Sequence, residues 1–491
     1  MSARTYPLYI NGAWQDSDGS EDLKVLNPAT EEVIGLVPQA TRTDVVRAVE
    51  AARRAFDRGP WPTMSVKERS AVLLRMAEVM ERRRDEIIEL NMREAGSVRW
   101  LAESIQAGIP ITHFRDMAER AMLGFEWERP MRPTISPGAG IGQGVIRREP
   151  FGVAALISAY NFPFFLNIMK LAPALAAGCT VVLKPAPTTP LEAFLFAEFA
   201  EEAELPPGVL NVVTGDVEAG RELTTHPMVD LISFTGSDTV GRHVYAQAAP
   251  SLKKVVLELG GKSANIICAD ADLHRAAAEV IMGITMHAGQ GCALLTRTLV
   301  HESRKDELIG MVTAALDGIR VGDPFDPKTV MGPLISAAQR ERVESLIRTG
   351  AEEGARLAYG GGRPAGLEKG FFVEPTLFVD VDNSMTIAQK EFFGPVGVVI
   401  PFRDDDEAVR IANDSDFGLS GGVWTKDPAH GYEIAKRLRT GTVGINGGGG
   451  AVTPHAAFGG YKQSGLGREW GEAGLDEYLQ TKTITWSATQ G

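Results

Sequence analysis

The sequence predicts an α/β fold built on a parallel sheet, and three observations carry that prediction. From residue 152 onward, short apolar runs alternate with stretches of helical periodicity. The runs are apolar throughout rather than at every second residue, as strands covered on both faces are. And 491 residues are too many for one ordinary core, which leaves room for a second series of the same kind.

In the first series, strands are expected at 153–158, 180–183, 209–213, 231–234 and 255–259. Helices are expected between them at 163–177, 190–203, 219–225 and 237–249. Sheets of this class bind ligands beyond the carboxyl ends of their strands. The second series starts near Ser263, with strands at 264–268, 299–300, 378–379, 396–400 and 442–445. Its helices are expected at 272–287, 304–319, 406–413 and 431–439.

Ahead of both lies a different region. Tyr9-Ile10-Asn11-Gly12-Ala13-Trp14 places Asn-Gly between apolar residues, a hairpin signal. Short strands follow at 25–26 and 33–37, then amphipathic helices at 44–56, 68–90 and 105–123, the first two capped by Thr43 and Ser65. The stretch 128–144 holds Pro130, Pro133, Pro137, Gly138, Gly140, Gly142 and Gly144 and cannot be a regular helix. It reads either as a long loop or as an extended arm continuing into the strand 144–148, with the C-terminal Thr483-Ile484-Thr485-Trp486 as sheet partner.

A net charge of −13, from 50 basic and 63 acidic residues, argues against a nucleic-acid partner. No apolar run is long enough to span a bilayer and residues 1–14 lack a signal-type apolar core, so a cytoplasmic location and no membrane association are expected. Three cysteines make no disulfide framework, and no Cys/His cluster has metal spacing, so no metal is expected. Cys179 and Cys268 sit among apolar residues and read as buried small hydrophobes.

Cys292 is different. Gly289-Gln290-Gly291-Cys292 gives it a polar, glycine-flanked turn, where backbone N–H groups could approach a substrate oxygen. A helix-like turn after it would lower the thiol pKa and favour the nucleophilic thiolate. The plain alternative is a structural thiol. Glu258 ends an apolar strand just before Gly260-Gly261, where burial would raise its pKa and suit it to act as a base. The alternative is a surface carboxylate where the strand emerges. Asn161 lies in a strand-to-helix turn and reads either as a donor to an oxyanion or as the cap of the helix that starts at Pro163. Gly236 and Ser237 open a helix whose N-terminus suits a pyrophosphate. Lys184 ends a strand within reach of a ribose or phosphate. Both also fit an ordinary turn and a surface charge.

Five motifs in order resemble the aldehyde dehydrogenase superfamily over nearly the whole chain. They are Phe234-Thr235-Gly236-Ser237, Leu257-Glu258-Leu259-Gly260-Gly261-Lys262, Gly289-Gln290-Gly291-Cys292, Glu391-Phe392-Phe393-Gly394-Pro395 and Gly465-Leu466-Gly467-Arg468-Glu469. The resemblance implies an α/β, aldehyde-dehydrogenase-like fold. It would have a Rossmann-type nucleotide-binding domain (1–127 and 149–257), an α/β catalytic domain (258–470) and a β oligomerisation arm (128–148 and 471–491). It implies NAD- or NADP-dependent oxidation of a small-molecule aldehyde by the hydrolytic, non-acylating route, in a homodimer or homotetramer. Cys292 is then the nucleophile, Asn161 with the Cys292 N–H the oxyanion hole, Glu258 the base for hydrolysis and Glu469 part of a proton relay. Glu391 would hold the nicotinamide ribose with Phe393 beside it, Lys184 the adenosine ribose, and Gly236 and Ser237 the pyrophosphate. Ser158 and Tyr160 complete the expected cofactor contacts.

Two departures bear on specificity. Pro187 stands where many members carry the glutamate that pairs with the adenosine ribose, which removes a repulsion against a 2′-phosphate and predicts that NADP is tolerated. The run Asn446 to Ala451 holds four glycines where larger side chains often stand, Tyr160 precedes Asn161 where Trp is common, and Phe165 and Met169 lie on the helix that follows, which predicts a funnel for a bulky hydrophobic or aromatic aldehyde. Three other readings compete: a coenzyme-A-acylating relative, a non-catalytic binding or structural protein on the same fold, and a cysteine esterase or amidase.

Overall fold

The structure is a computed structural model, and it describes residues 4–136, 140–448 and 452–487. Two large sheets dominate it. The first has eight strands in the spatial order 465–466, 254–258, 231–235, 153–157, 180–184, 210–212, 8–10 and 13–15. The five from 254–258 to 210–212 are mutually parallel, and the short strands at both edges run antiparallel. Chain order runs outward from Val153–Ile157 to one side, then crosses back to the other. That reversal opens a crevice beside the central strand's carboxyl end. The second sheet has seven strands, in the order 356–359, 376–379, 396–402, 297–301, 264–267, 420–424 and 442–445, all parallel except the first pair.

The central strands are buried along their whole length, which explains why their sequences are apolar without alternation. The helix Pro163–Ala177 is buried at every position. It begins with Pro at its first turn and ends at Gly178, whose φ of 96° closes it in the left-handed conformation. Its packing among neighbouring helices and the sheet fixes the turn 158–162 from which Asn161 projects.

The hairpin forms where Asn-Gly predicts it, with Asn11 and Gly12 both at positive φ between Leu8–Ile10 and Ala13–Gln15. The strand pairing expected of the arm segment forms as well. Gly140–Pro150 pairs antiparallel with Leu479–Ser487, with Ile146 opposite Thr483 and Gly144 opposite Thr485. Glu128–Pro130 and Thr134–Ser136 pair along the same long strand. Pro137 and Gly138 lie outside the described residues.

Several local expectations are corrected. The first helix, Arg42–Arg58, is capped by Thr41 rather than Thr43, because Asp44 returns the hydrogen bond to the Thr41 N–H and makes a capping box. The expected helix 68–90 divides at Arg83 (φ −100°, ψ 19°) into Val66–Arg82 and Arg84–Glu94. Residues 99–124 form one helix with two π-wound stretches, Ala102–Gly108 and Met117–Ala121. The helix before Cys292 stops at Thr285, and the chain turns through His287 and Ala288, both at positive φ. The helix expected at 431–439 spans Pro428–Ala435, started by Asp427 capping the Ala429 N–H. Among the described residues, no helix is long and apolar enough to cross a membrane, and no group of three His, Cys, Asp or Glu side chains could hold a metal ion.

Candidate active site

The carboxyl ends of the parallel strands collect the expected residues. Ser158 and Lys184 end adjacent strands, with the Ser158 N–H donating to the Lys184 carbonyl at 3.3 Å. Glu258 ends the strand Lys254–Glu258 on the far side of Leu231–Thr235. The Gly236 N–H donates to the Glu258 carbonyl at 3.1 Å, so the expected phosphate turn is tied to the expected base.

Asn161 does not cap the helix that follows. Phe162 occupies the cap position and no side chain caps there. Instead the buried Asn161 Nδ2 donates to the Gln290 carbonyl at 2.9 Å, two residues before Cys292. Gln290 is itself pinned: its Nε2 donates to the His287 carbonyl and its Oε1 accepts from the Ile335 N–H, each at 3.0 Å. The turn at 287–289 needs glycine at its last position. Gly289 has φ 72°, and a Cβ there would lie 1.9 Å from the Gly394 carbonyl oxygen. Gly261 abuts the same turn from the other side, since a Cβ on it would meet the Cys292 carbonyl oxygen at 2.4 Å. Thus the segment after Glu258 approaches the Cys292 main chain closely because Gly261 keeps its own backbone bare there.

The half-buried thiol of Cys292 has its pKa raised rather than lowered. Burial is the largest cause, followed by the charges of Glu391 and Glu258, against which the backbone N–H groups of Cys292 and Ala293 pull the other way. The helix-like turn expected to supply a favourable dipole is absent; residues 292–293 form only a turn before the strand Arg297–His301. The resting form is therefore a thiol, and a base must take its proton.

Glu258 is buried and its pKa is raised, chiefly by desolvation and then by the charge of Glu469, with Lys170 and Arg468 opposing. Neither of its carboxyl oxygens has a hydrogen-bond partner among the described residues. Behind it lies a fully buried ion pair, Lys170 Nζ to Glu469 Oε1 at 2.7 Å, with Lys170 also donating to Ser233 Oγ at 2.9 Å. Sequence reasoning does not find Lys170 as a site residue. Its one signal is that it is the single charged residue in the helix Pro163–Ala177.

Along the crevice, Glu391 Oε1 accepts the Gly261 N–H at 3.0 Å, and desolvation raises its pKa to about 7, opposed by that bond and by Lys262 and Arg342. Phe393 (φ 53°) meets the Tyr160 ring edge-to-face at 5.7 Å. The Tyr160 hydroxyl and Ser158 Oγ are buried without partners among the described residues. Lys184 is buried with its pKa lowered by desolvation to about 8, and Asp216 is the charge that opposes the shift. Ser237 accepts the Val240 N–H at 3.3 Å and starts the helix Asp238–Ala248. A helix N-terminus, a carboxylate, a buried cation and unpaired hydroxyls along one crevice suit a dinucleotide with ribose hydroxyls and a pyrophosphate.

On the other side of Asn161 stands an aromatic wall. Trp470 stacks between Phe458 (4.8 Å) and Phe165 (5.7 Å), with His113 edge-on at 5.0 Å and Met169 in the same cluster. Trp470 follows the Gly-Arg-Glu motif directly, yet sequence reasoning misses it, because nothing in its sequence context shows which way it faces. Gly449, Gly450 and Ala451 of the glycine run lie outside the described residues.

With this geometry in place, comparison with known proteins gives the class. The chain belongs to the aldehyde dehydrogenase family, whose family model matches residues 14–484. It is an NAD(P)-dependent aldehyde dehydrogenase by fold and family. It is 46% identical to a Mycobacterium tuberculosis aldehyde dehydrogenase solved with NAD+, at a TM-score of 0.93 and 98% coverage of both chains. Aldehyde dehydrogenase C from Pseudomonas syringae, solved as a cysteine-to-alanine mutant with NAD+ and octanal, is 41% identical at a TM-score of 0.91, covering 98% of this chain and 96% of that one. A Staphylococcus haemolyticus protein provisionally named as an aldehyde dehydrogenase is 42% identical over 478 residues, 97% of this chain and 98% of its own length.

The close approach at Gly289 yields a prediction. Gly178→Ala meets only left-handed strain, the nearest atom to its added Cβ lying 3.5 Å away, and should cost about 1–2 kcal/mol in urea unfolding. Gly289→Ala adds overlap with the Gly394 carbonyl and should cost more, with loss of most activity. Equal destabilisation by the two substitutions would contradict the packing described.

Proposed function

We propose that this enzyme oxidises a bulky hydrophobic aldehyde to its carboxylic acid through a thiohemiacetal and a thioester on Cys292. The observation that carries the reading is the convergence on one turn: the Glu258 charge reaches the Cys292 thiol, and the Asn161 amide is held two residues upstream. Glu258 takes the thiol proton, and sulfur bonds to the aldehyde carbon as the carbonyl electrons move onto oxygen. The Asn161 amide and the Cys292 N–H donate to that oxygen. A nicotinamide cofactor, NAD or NADP, held by the crevice residues would supply the acceptor for the hydride of that carbon. The carbonyl re-forms, leaving the thioester. Once the first proton has left Glu258 by way of Glu469 and Lys170, its carboxylate takes a proton from water, whose oxygen adds to the acyl carbon. The thiolate leaves and the acid is released. Glu469 with Lys170 passes the proton onward from Glu258. Glu391, Phe393, Tyr160, Ser158, Lys184, Gly236 and Ser237 hold the cofactor.

The rival acylating route, in which coenzyme A resolves the thioester, has no use for a buried water-activating base. We also propose the division into domains at 1–127 with 149–257, at 258–470, and an arm of 128–148 with 471–491. The arm would join copies into a homodimer or homotetramer, and the protein would be cytoplasmic. The strand Leu479–Ser487 supports the arm, being exposed along nearly its whole length.

The route, the cofactor and the substrate are each open to measurement. Cys292→Ala should abolish aldehyde-dependent reduction of the cofactor, and the hydrolysis-limited rate should climb with pH well above the ordinary carboxylate value of about 4.3 as Glu258 loses its proton. Glu258→Gln should remove that rise, whereas an unchanged pH profile, or turnover only with added coenzyme A, would overturn the route.

For the cofactor, Pro187 is exposed in a turn and offers no carboxylate. Asp216, whose Oδ1 is held by Gln39 at 2.8 Å, keeps one negative charge near Lys184. Both cofactors should turn over with NAD ahead in kcat/KM, and Asp216→Ser should narrow the gap. No turnover at all with NADP would refute the point.

For the substrate, octanal and benzaldehyde should exceed betaine aldehyde in kcat/KM, and Trp470→Ala should erase most of that preference. The octanal complex of the Pseudomonas syringae relative supports this choice. Equal or better turnover of betaine aldehyde would contradict it.

A further inference from the structure

The Asn161 amide carries two N–H groups. One donates to the Gln290 carbonyl at 2.9 Å, which leaves the other for an oxygen bound beside Cys292. Its aim depends on the main chain at 161, which lies in a turn between the strand Val153–Ile157 and the helix Pro163–Ala177 and belongs to neither. That main chain is held from a distant helix. Gln106 Nε2 donates to the Asn161 carbonyl at 2.9 Å and to Ser97 Oγ at 3.2 Å. The same Asn161 carbonyl opposes the lowering of the His287 imidazole pKa by burial, and the Gln290 Nε2 donates to the His287 carbonyl at 3.0 Å. Hydrogen bonds thus run from Asn161 to Gln290 and from Gln290 to His287, with Gln106 as the outside brace on the Asn161 main chain.

Gln106 is costly where it stands. It is completely buried, and its Oε1 has no partner among the described residues. A buried amide left half-satisfied costs stability that an apolar side chain of similar size would not. It also sits in the π-wound stretch Ala102–Gly108, a winding that is rare and found often at functional sites. Around it, Leu101, Phe162, Phe165 and Leu166 form an apolar cluster that would accept a methionine or leucine. A structural role alone does not account for an amide here.

We propose that Gln106 is a positioning residue for the oxyanion contact, acting through the Asn161 main chain. This rests on the aldehyde-oxidation reading of Asn161 above. The near-isosteric Gln106→Met removes both donors with little change in volume. It should lower kcat on the order of ten- to a hundredfold, as a small misplacement of a reacting group does. NAD binding, read by quenching of tryptophan fluorescence, should be unchanged. In an Asn161→Ala background the same substitution should lower kcat no further, because the group it positions is gone. Gln106→Glu supplies a second readout that does not depend on the first variant folding well. Its protonated carboxyl can still donate, so its kcat relative to wild type should fall as pH rises. Unchanged kcat in Gln106→Met, an undiminished effect in the Asn161→Ala background, or a pH-independent ratio for Gln106→Glu would each overturn the proposal. Full activity of Asn161→Ala alone would instead overturn the reading on which it rests.

Discussion

A carboxyl group taken out of water, with no hydrogen-bond partner for either oxygen among the described residues, is the constraint on which the rest of this site depends. Glu258 is carried there by a strand whose apolar residues bury it in the sheet, Gly260 makes room for the Glu391 carboxylate, and Gly261 lets the loop pass close to the Cys292 turn. Desolvation then does the chemical tuning. It favours the neutral acid, so that the ionised Glu258 is a stronger base than an exposed carboxylate. The same burial makes the Cys292 thiol a poor nucleophile on its own. The two groups are thus complementary: burial keeps the sulfur protonated, and it makes the Glu258 carboxylate, once ionised, a strong enough base to take that proton and activate the sulfur.

The surroundings of Glu258 explain why such a group can be kept. Lys170 and Glu469 form a buried ion pair behind it, and the positive charge of Lys170 offsets part of the repulsion from Glu469. A lone buried cation or carboxylate at either position would be costly, so the pair must be retained or lost together. This links the central helix, which carries Lys170, to the C-terminal Gly-Arg-Glu segment, which carries Glu469. Trp470, the next residue, builds the aromatic wall, so proton path and hydrophobic wall share one turn of chain.

Much of this is legible in the sequence, and the rest is not for physical reasons. The parallel strands are readable because burial on both faces leaves them apolar throughout, and the hairpin because Asn11-Gly12 is the chemistry its turn demands. The arm pairing is readable from two strand-like segments, 144–148 and 483–486, which lie far apart in sequence and pair antiparallel. Cys292, Glu258 and Asn161 stand out because their residue types sit at strand ends and glycine turns. What fails is anything set by three-dimensional neighbours. A helix dipole would lower the thiol pKa, but burial and the two nearby carboxylates decide its sign. Asn161 reads locally as a helix cap, and only the Gln290 carbonyl, 129 residues away, shows otherwise. The π-wound stretches carry the same apolar spacing as an ordinary helix to within one residue, so periodicity cannot separate them. Gln106, Lys170 and Trp470 matter through contacts across the fold and leave little local trace.

The central claim is that oxidation passes through an acyl group on Cys292 which Glu258 releases. The most direct measurement is the intact mass of Glu258→Gln after mixing with octanal and NAD, followed by peptide mapping. The account predicts a mass increase of one octanoyl group, located on Cys292, and removed by hydroxylamine. An unmodified protein that has nonetheless reduced a stoichiometric amount of NAD, or an acyl group on any other residue, would contradict it.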